Sequence, residues 1–412
     1  MTSLTNQSTT EIAQTDLSHT RHDFPLLSRT VDGLPITYLD SASTTPKPQC
    51  VLDAVIRYYS EHTSNVHRGV HALAEETTAA CERARQEVAS FINAAPDEIV
   101  FTRNATEGIN LVAHGLGLKP DDEVATTPLE HHSNYMPWRT HARVVTVDLE
   151  KDGLPRYGDI GGIVSGRTRV IAVAHVSNVA GVVAPVGEWA AVARKIGACS
   201  VVDASQSIGH MTVDVKRIGC DFLVFSGHKT LGPSGIGVLY GRREKLAELG
   251  LYQTGGGMVQ LHSEQLAIPR EVPWRFEAGT PSIEGILGLA AAIGYLRRIG
   301  MENVQRHSNE LGIRLVESLQ SIPGARIVAG SAPLENRIGL AAFTVPVPGL
   351  EAEAIGRLLS DRFQIMVSAG YHCAHILHHR LGLQGTVRAS AQVFNTTEEI
   401  DRLIAALREL CE

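Results

Sequence analysis

Short runs of apolar, often β-branched residues alternate with amphipathic stretches from Glu98 to Tyr240, and this alternation leaves few folds open. The predicted strands lie at 99–102, 122–127, 144–147, 169–176, 199–203, 221–226 and 236–240, and the predicted helices between them at 104–117, 134–142 and 186–197. Strands that are apolar on both faces and separated by helices form mostly parallel sheets, which helices cover on both sides. The pattern therefore predicts an α/β fold.

The pattern changes after Pro281, where long helices are predicted at 283–299 and 303–321, followed by shorter strands near 325–328 and 339–345 and a last helix at 398–410. A chain of 412 residues also exceeds the roughly 250 to 300 residues at which one hydrophobic core stops growing. We predict a large α/β domain over residues 24–282 and a small C-terminal α+β domain over residues 283–412. Residues 1–23 are polar and lack the apolar core of a signal peptide, so they are predicted to form a mobile tail.

Charge and cysteine content exclude several classes of partner. The formal net charge is −7 without a block of basic residues, so neither nucleic acid nor a membrane surface is an expected partner. No run approaches the roughly 18 consecutive apolar residues of a membrane helix. The six cysteines are scattered and none has C-x-x-C spacing. They are interpreted as reduced thiols in a cytoplasmic protein.

Polar residues follow four of the predicted strands at the point where each strand ends. They are 130–132, 177–178, Asp203 and 226–229. In mostly parallel sheets, ligands bind in a crevice beyond the carboxyl ends of the strands. We therefore expect these four groups to line one crevice.

Asp203 and Lys229 are the two most informative of these residues. Taken singly, Asp203 is ordinary as a helix N-cap and Lys229 as a loop lysine. Together at strand ends of one sheet they suit a cofactor that acts as an electron sink, because such a cofactor needs an amine to attach to and a carboxylate for its pyridinium nitrogen.

Eight blocks in the order of a known family make the interpretation more specific. They are 40–43, 66–71, 106–110, 130–134, 175–178, 225–229, 275–281 and 372–374. From about Phe24 onward, the chain resembles the SufS-like cysteine desulfurases, in the class-V branch of the fold-type I pyridoxal-phosphate enzymes. The resemblance implies a fold-type I transferase fold and pyridoxal 5'-phosphate as the cofactor.

On matching positions, the resemblance implies that Lys229 carries the cofactor and moves a proton at the substrate Cα. Asp203 would keep the ring nitrogen protonated, and Gln206 would hold the ring oxygen. His131 would stack on the ring and exchange a proton with the substrate thiol. Asn178 would contact both the cofactor and the substrate.

The phosphate of the cofactor calls for hydrogen-bond donors, and residues 104–108 open an amphipathic helix directly after a strand. Helix N-termini favour phosphate. The resemblance adds Thr106, Glu107, Ser226 and His228 to this end of the site. The residue matching Thr280 reaches the phosphate of the neighbouring subunit in the family, which implies a homodimer, although an interdomain turn is the ordinary alternative for 279–281.

The substrate carboxylate calls for an arginine fork. Arg388 matches the family residue with that task, and its ordinary alternative is a surface arginine. The resemblance places His67 with Arg388 and Asn178 at the substrate.

Cys373 distinguishes a desulfurase from other members of this fold. It lies in 368–374, a polar, Gly-containing stretch typical of a loop, where a thiol is accessible. The family often has Arg-Ser/Thr-Gly-His-His-Cys here, whereas this chain has Ser368, Ala369 and Tyr371. These departures leave thiolate activation open.

A metal site is the alternative for this region, because the residues around Cys373 include several possible ligands, namely His372, Cys373, His375, His378 and His379. The spacing is crowded and lacks a second cysteine, so no metal is expected. His67 and His71 are likewise not expected to bind a metal.

The resulting prediction is an enzyme that converts L-cysteine to L-alanine and leaves a persulfide on Cys373, from which a sulfur-acceptor protein of SufE or SufU type would collect sulfur for iron-sulfur cluster or thio-cofactor assembly. A lyase for L-selenocysteine, or a C-S lyase of secondary metabolism, remains the alternative within enzymes. A scaffold without catalysis is the alternative of another class.

Overall fold

The computed structural model describes residues 17–67 and 69–412. Its strands are β1 (Thr30–Val31), β2 (Leu34–Pro35), β3 (Thr37–Tyr38), β4 (Ile99–Thr102), β5 (Glu123–Thr126), β6 (Arg143–Thr146), β7 (Thr168–Ala174), β8 (Cys199–Asp203), β9 (Phe222–Ser226), β10 (Gly237–Gly241), β11 (Val259–His262), β12 (Ala267–Pro269), β13 (Arg326–Ile327), β14 (Leu340–Thr344), β15 (Ile365–Met366), β16 (Ser368–Gly370) and β17 (Thr386–Ser390). Its α-helices are α1 (Gln49–Glu61), α2 (Ala72–Phe91), α3 (Ala105–Gly115), α4 (Met136–His141), α5 (Ile160–Ile163), α6 (Val186–Ile196), α7 (Val215–Ile218), α8 (Arg243–Glu248), α9 (Ile283–Ile299), α10 (Met301–Gln320), α11 (Ala352–Phe363), α12 (His375–Leu381) and α13 (Thr397–Cys411).

A seven-stranded sheet in the order β4-β10-β9-β8-β7-β5-β6 forms the centre of the large unit. β5 to β9 pair in parallel, and β10 runs antiparallel to both of its neighbours. Successive residues of one strand enter opposite cores. Val201 packs with α3 and α4, and Val202 packs with α2, α6 and α9. The predicted α/β class with a mostly parallel, doubly covered sheet is confirmed.

A second sheet, in the order β13-β14-β17-β16, is antiparallel and has four strands. Its core side packs against α10, α11 and α13. Alternation along β17 buries Val387 and Ala389 in this core and leaves Arg388 on the opposite face. That face closes over the large sheet.

Two parts of the predicted domain division differ from the packing observed. Residues 1–16 of the predicted tail lie outside the described residues, but Ser18–Asp23 form a 3-10 helix. Thr20 is buried and its hydroxyl donates to the Val393 carbonyl, and Arg21 pairs with Glu399. These contacts pack the end of the predicted tail onto the C-terminal part of the chain.

Helix α9 also lies outside its predicted unit. Its buried residues, such as Leu289 and Ile293, enter the core of the large sheet together with α2 and α6. In the other direction, β3 pairs with β15, which places Thr37–Tyr38 beside the segment that leads into the second sheet. By packing, the large unit extends through α9, because long-range apolar contacts rather than chain order assign a helix to a core.

None of the helices within the described residues is both long and apolar enough to cross a membrane.

Candidate active site

A cavity of about 380 Å³ lies at the carboxyl ends of the parallel strands, between the two sheets. All four strand-end groups expected to converge contribute to its wall. The predicted site residues that line it are Thr106, His131, Asn178, Asp203, Gln206, Ser226, His228, Lys229, Cys373 and Arg388. The sheet topology thus brings together residues that are up to 282 positions apart in sequence, from Thr106 to Arg388.

Lys229 ends the short 3-10 turn Gly227–Lys229 that follows β9. The residue as a whole is half-buried, but its amine lies deep in the cavity. Burial lowers the pKa of Lys229 to about 8, while the carboxylate of Asp203 works in the opposite direction. A lysine with this pKa is neutral in a substantial fraction near pH 8, so it can act as a nucleophile or a base.

Asp203 is the last residue of β8, and its side chain is buried. One carboxylate oxygen accepts the Ser205 backbone N–H at 2.9 Å. Nearby, the Gln206 amide donates to the Ala42 carbonyl at 2.9 Å. A carboxylate held at a strand end in this way provides a fixed negative charge within the cavity.

The N-terminus of α3 borders the same cavity. Asn104 caps the helix by accepting the Glu107 backbone N–H at 2.9 Å, and the Ser226 hydroxyl accepts the Ala105 N–H at 2.9 Å. The Thr106 and Ser133 hydroxyls lie 2.7 Å apart. Helix dipole, backbone donors and hydroxyls together make this end of the cavity suitable for an anion.

The segment that carries His131 is anchored by Glu130, whose role the sequence analysis did not identify. The Glu130 carboxylate accepts the Thr127 hydroxyl at 2.8 Å, the Asn134 amide at 2.7 Å and the Ala174 backbone N–H at 2.9 Å. Burial raises the pKa of Glu130 to about 8, and the hydrogen bonds from Thr127 and Asn134 partly offset that rise. These donors join the turn after β5 to the end of β7, which fixes the position of His131.

Arg388 is 4% exposed, so it is not a surface arginine. Its guanidinium donates to the Asn178 carbonyl at 3.0 Å and to the Ser43 hydroxyl at 2.7 Å, and it lies 3.4 Å from Asp40. Its buried Nε has no partner among the described residues. Because buried donors are normally bonded, this nitrogen is available to a ligand. Ser43 and Asp40 belong to a block quoted for the family resemblance, but no role was predicted for either residue.

Cys373 lies in the connection between β16 and α12, and its side chain is exposed. The polar stretch 368–374 was expected to be a loop. Ser368–Gly370 instead form strand β16, because these residues pair with β17, and the chain turns after Gly370. His372 and Cys373 have positive φ values of 48° and 56°, a conformation that L-residues seldom adopt.

Two hydrogen bonds hold this turn against the large unit. The His132 backbone N–H donates to the Cys373 carbonyl at 2.9 Å, and the Asn178 amide donates to the His372 carbonyl at 2.8 Å. His132 and Asn178 follow β5 and β7. The turn that carries the thiol is therefore bonded to the same strand ends that form the rest of the cavity.

The histidines near Cys373 bond to one another and to Thr386. His372 and His378 both place a ring nitrogen within 3.1 Å of the Thr386 hydroxyl. His375 lies 3.1 Å from His132 and stacks on Tyr371. Over residues 17–67 and 69–412, no group of three or more possible ligands is arranged around a metal position.

Three predicted site residues lie away from the cavity. Glu107 binds Arg103, which its carboxylate contacts at 3.0 Å. His67 lies 3.6 Å from Glu82, and it precedes α2, so it shares no helical face with His71. Thr280 is exposed, and its hydroxyl accepts the Asn65 amide at 3.4 Å. The roles predicted for Glu107 at the cofactor and for His67 at the substrate stay predictions, because neither residue lines the cavity of its own chain.

The mostly parallel sheet, with a lysine and a carboxylate at adjacent strand ends, defines the class of fold-type I pyridoxal-phosphate-dependent transferases. The sequence profile of the class-V aminotransferase family matches residues 37–403. A probable cysteine desulfurase of Mycobacterium leprae is 44% identical over 97% of both chains. This chain belongs to the cysteine desulfurases of the class-V aminotransferase family, which confirms the resemblance found from the sequence.

Solved structures agree. A cysteine desulfurase from Thermococcus onnurineus is 39% identical and has a TM-score of 0.89, with 95% of this chain and 97% of that one covered. The cysteine desulfurase CsdA from Escherichia coli is 34% identical and has a TM-score of 0.85, with 96% and 98% covered. The SufS-like subtype stays a prediction.

Proposed function

We propose that this chain is a cysteine desulfurase that uses pyridoxal phosphate to convert L-cysteine to L-alanine and that holds the sulfur as a persulfide on Cys373. One observation carries the proposal: an exposed thiol on a turn of the second sheet shares a cavity with Lys229 and Arg388. A thiol in that position can receive sulfur from the substrate and then present it to another protein.

The donor set of the cavity fits the proposed cofactor. Lys229 would attach it, and Asp203 would face its ring nitrogen. The N-terminus of α3, with Thr106 and Ser226, would hold its phosphate. A fixed carboxylate suits a ring nitrogen that must stay protonated, and helix donors suit a dianion. When bound, pyridoxal phosphate withdraws electrons from the Cα of an attached amino acid.

Substrate binding is assigned to Arg388. Its fork matches the planar carboxylate of an amino acid, and its unpartnered Nε adds a donor. Asn178 and Ser43 hold the guanidinium in place. The substrate is thereby oriented with its Cα toward Lys229, which the lowered pKa equips to remove the Cα proton.

The sulfur step is assigned to the Cys373 thiolate, which attacks the substrate sulfur. A sulfur–sulfur bond forms as the Cβ–S bond breaks, and the electron pair of the broken bond remains on the carbon fragment. A proton then completes the methyl group of alanine, so thiol and cysteine give persulfide and alanine without an external oxidant. Splitting desulfuration into transfer and release replaces one difficult step by two easier ones.

The working unit is proposed to be a homodimer, in which Thr280 contributes to the phosphate site of the neighbouring subunit. Two features support this: Thr280 is exposed, and it lies outside the cavity of its own chain. A sulfur-acceptor protein of SufE or SufU type is proposed to approach the exposed Cys373. Sedimentation that showed a fully active monomer at the assay concentration would refute the shared site.

The test of the function is to mix the purified protein with L-cysteine and a reductant and to quantify alanine and sulfide together. Equal amounts of both products are expected. Repeating the assay with L-selenocysteine addresses the alternative of a selenocysteine lyase, for which alanine would form from the selenium substrate only. Pyruvate and ammonia in place of alanine would indicate a C-S lyase.

A further inference from the structure

The side chain of Ser133 lies between two groups of the proposed site. Its hydroxyl is 3.0 Å from His131 Nδ1 and 2.7 Å from Thr106 Oγ1. Its backbone N–H also donates to His131 Nδ1 at 3.1 Å. One residue thus contacts the imidazole twice and the N-terminal turn of α3 once, and it is among the residues that line the cavity.

These contacts determine which ring nitrogen of His131 carries the proton. A backbone N–H can only donate, so Nδ1 must offer its lone pair to it. A neutral imidazole has one donor and one acceptor nitrogen, so the proton resides on Nε2. Burial, together with the positive charge of Lys229, lowers the pKa of His131 to about 3. The ring is therefore neutral at physiological pH, and the single-proton argument applies.

The Ser133 hydroxyl strengthens the same preference. It can donate to the Nδ1 lone pair while it accepts the Thr106 hydroxyl proton, so the three groups form one ordered chain of hydrogen bonds. This chain of hydrogen bonds ties the plane of the imidazole to the helix end proposed to hold the phosphate, because each bond restricts the orientation of the ring.

We propose that Ser133 is a positioning residue that holds His131 in the Nε2–H tautomer and fixes its ring relative to Thr106. As a consequence, Nε2 of His131 is a hydrogen-bond donor rather than a free base. The role in turnover rests on the proposed function, but the tautomer and the contact with Thr106 do not.

The first measurement is nitrogen NMR of the protein with bound pyridoxal phosphate and ¹⁵N-labelled histidine, with the His131 signals assigned by their loss in His131→Gln. The Nδ1 signal is expected at the position of an unprotonated ring nitrogen and the Nε2 signal at that of a protonated one. The reverse pattern in the wild-type protein overturns the proposal.

The second measurement uses Ser133→Ala, which removes the hydroxyl and keeps the backbone donor. Loss of one neutral hydrogen bond changes an equilibrium by about three- to tenfold. The share of the Nδ1–H tautomer should rise by that factor, and kcat for alanine formation should fall by a similar factor while KM stays within about twofold. Ser133→Thr retains a hydroxyl and should restore both values.

Ser28→Ala is the matched control, because the Ser28 hydroxyl is exposed and, among the described residues, donates to the Pro25 carbonyl. It should change neither the nitrogen signals nor kcat. If Ser133→Ala leaves both the tautomer ratio and kcat unchanged, the positioning role is wrong. If the wild-type protein shows the expected tautomer but forms no alanine from L-cysteine, the proposed function is wrong and the assignment of the tautomer still holds. If Ser133→Ala does not fold, the wild-type spectrum and Ser133→Thr still decide.

Discussion

The two walls of the cavity are built differently. The sheet wall presents Asp203 and Lys229 from the ends of parallel strands whose other residues are buried, apart from the half-buried Cys199. The opposite wall presents Cys373 from an exposed turn with two consecutive left-handed residues. The first wall is built on the core of the large unit, whereas the second is held by the pairing of β16 with β17, by hydrogen bonds to His132 and Asn178 and by the contacts of His372 and His378 with Thr386.

The difference corresponds to the tasks proposed for the two walls. Chemistry at the substrate Cα requires charges that are fixed and shielded from water, which a sheet edge provides. A thiol that first meets the substrate and then another protein must be reachable from outside. The Cys373 turn meets this requirement, because its thiol is exposed while hydrogen bonds from His132 and Asn178 hold its backbone.

Lys229→Ala tests the sheet wall and has the largest expected effect. Removal of the amine should abolish attachment of the cofactor and reduce alanine formation by more than about a thousandfold. The absorbance spectrum of the purified protein and alanine release provide the measurements. Lys245→Ala, which removes a partly exposed lysine paired with Glu248, is the control and should leave both unchanged. A colourless wild-type protein that takes up no pyridoxal phosphate would contradict the cofactor assignment.

Cys373→Ser separates the two walls. The variant should keep the cofactor spectrum of the wild-type protein but form no persulfide at position 373, and alanine release from L-cysteine should fall by about a hundredfold or more, because the serine hydroxyl is a poor sulfur acceptor at neutral pH. Mass spectrometry of the protein after reaction locates the persulfide. Cys411→Ser is the matched control. Desulfuration of L-cysteine at the wild-type rate by Cys373→Ser would favour the lyase alternative.

Arg388→Lys tests the proposed binding of the substrate carboxylate by Arg388, which lies on the second sheet. Lysine keeps the charge and loses the planar fork, so KM for L-cysteine should rise about tenfold or more, the effect of one hydrogen bond to a charged group. Steady-state kinetics measures this rise, and Arg357→Lys on the exposed face of α11 is the control. An unchanged KM would remove Arg388 from the carboxylate site.

The pH dependence of cofactor uptake tests the lowered pKa of Lys229. Its pKa in the folded protein lies near 8, below the usual value, so the reactive neutral amine is the minor form at pH 7 and the major form above pH 8. The rate at which the cofactor-free protein takes up pyridoxal phosphate should rise several-fold between pH 7 and pH 8 and level off above pH 8.5. Stopped-flow absorbance measures it, and a rate that keeps rising to pH 10 would show that Lys229 is not desolvated.

Thr386→Val tests the support of the Cys373 turn and has the smallest effect. The substitution removes the hydroxyl that lies near both His372 and His378. Leaving buried imidazole nitrogens without this partner should lower the free energy of unfolding by about 1 to 3 kcal/mol. Urea unfolding provides the measurement. Thr140→Val, whose exposed hydroxyl donates to the Met136 carbonyl, should change stability by less than about 0.5 kcal/mol.

The sequence by itself determined the large sheet. Strands that are buried on both faces require runs of apolar residues, and such runs are a local signal in the sequence. Strands β4 and β8 lie at the residues predicted for them. Helices α1 and α2 were not predicted, because their apolar faces are buried by packing against α9, which lies far away in the sequence. The residues at the carboxyl ends of the strands were predicted to meet, and they do, because parallel strands that share one sheet end at one edge.

The tertiary structure alone decided which residues near a motif enter the cavity. Thr106 and Glu107 are neighbours on α3, yet Thr106 lines the cavity and Glu107 turns to Arg103, since adjacent helical positions point about 100° apart. The Arg388 contact with Ser43 and the Ser133 contact with Thr106 join residues that are distant in sequence. Their partners depend on how the chain is packed, and no local pattern of residues encodes that.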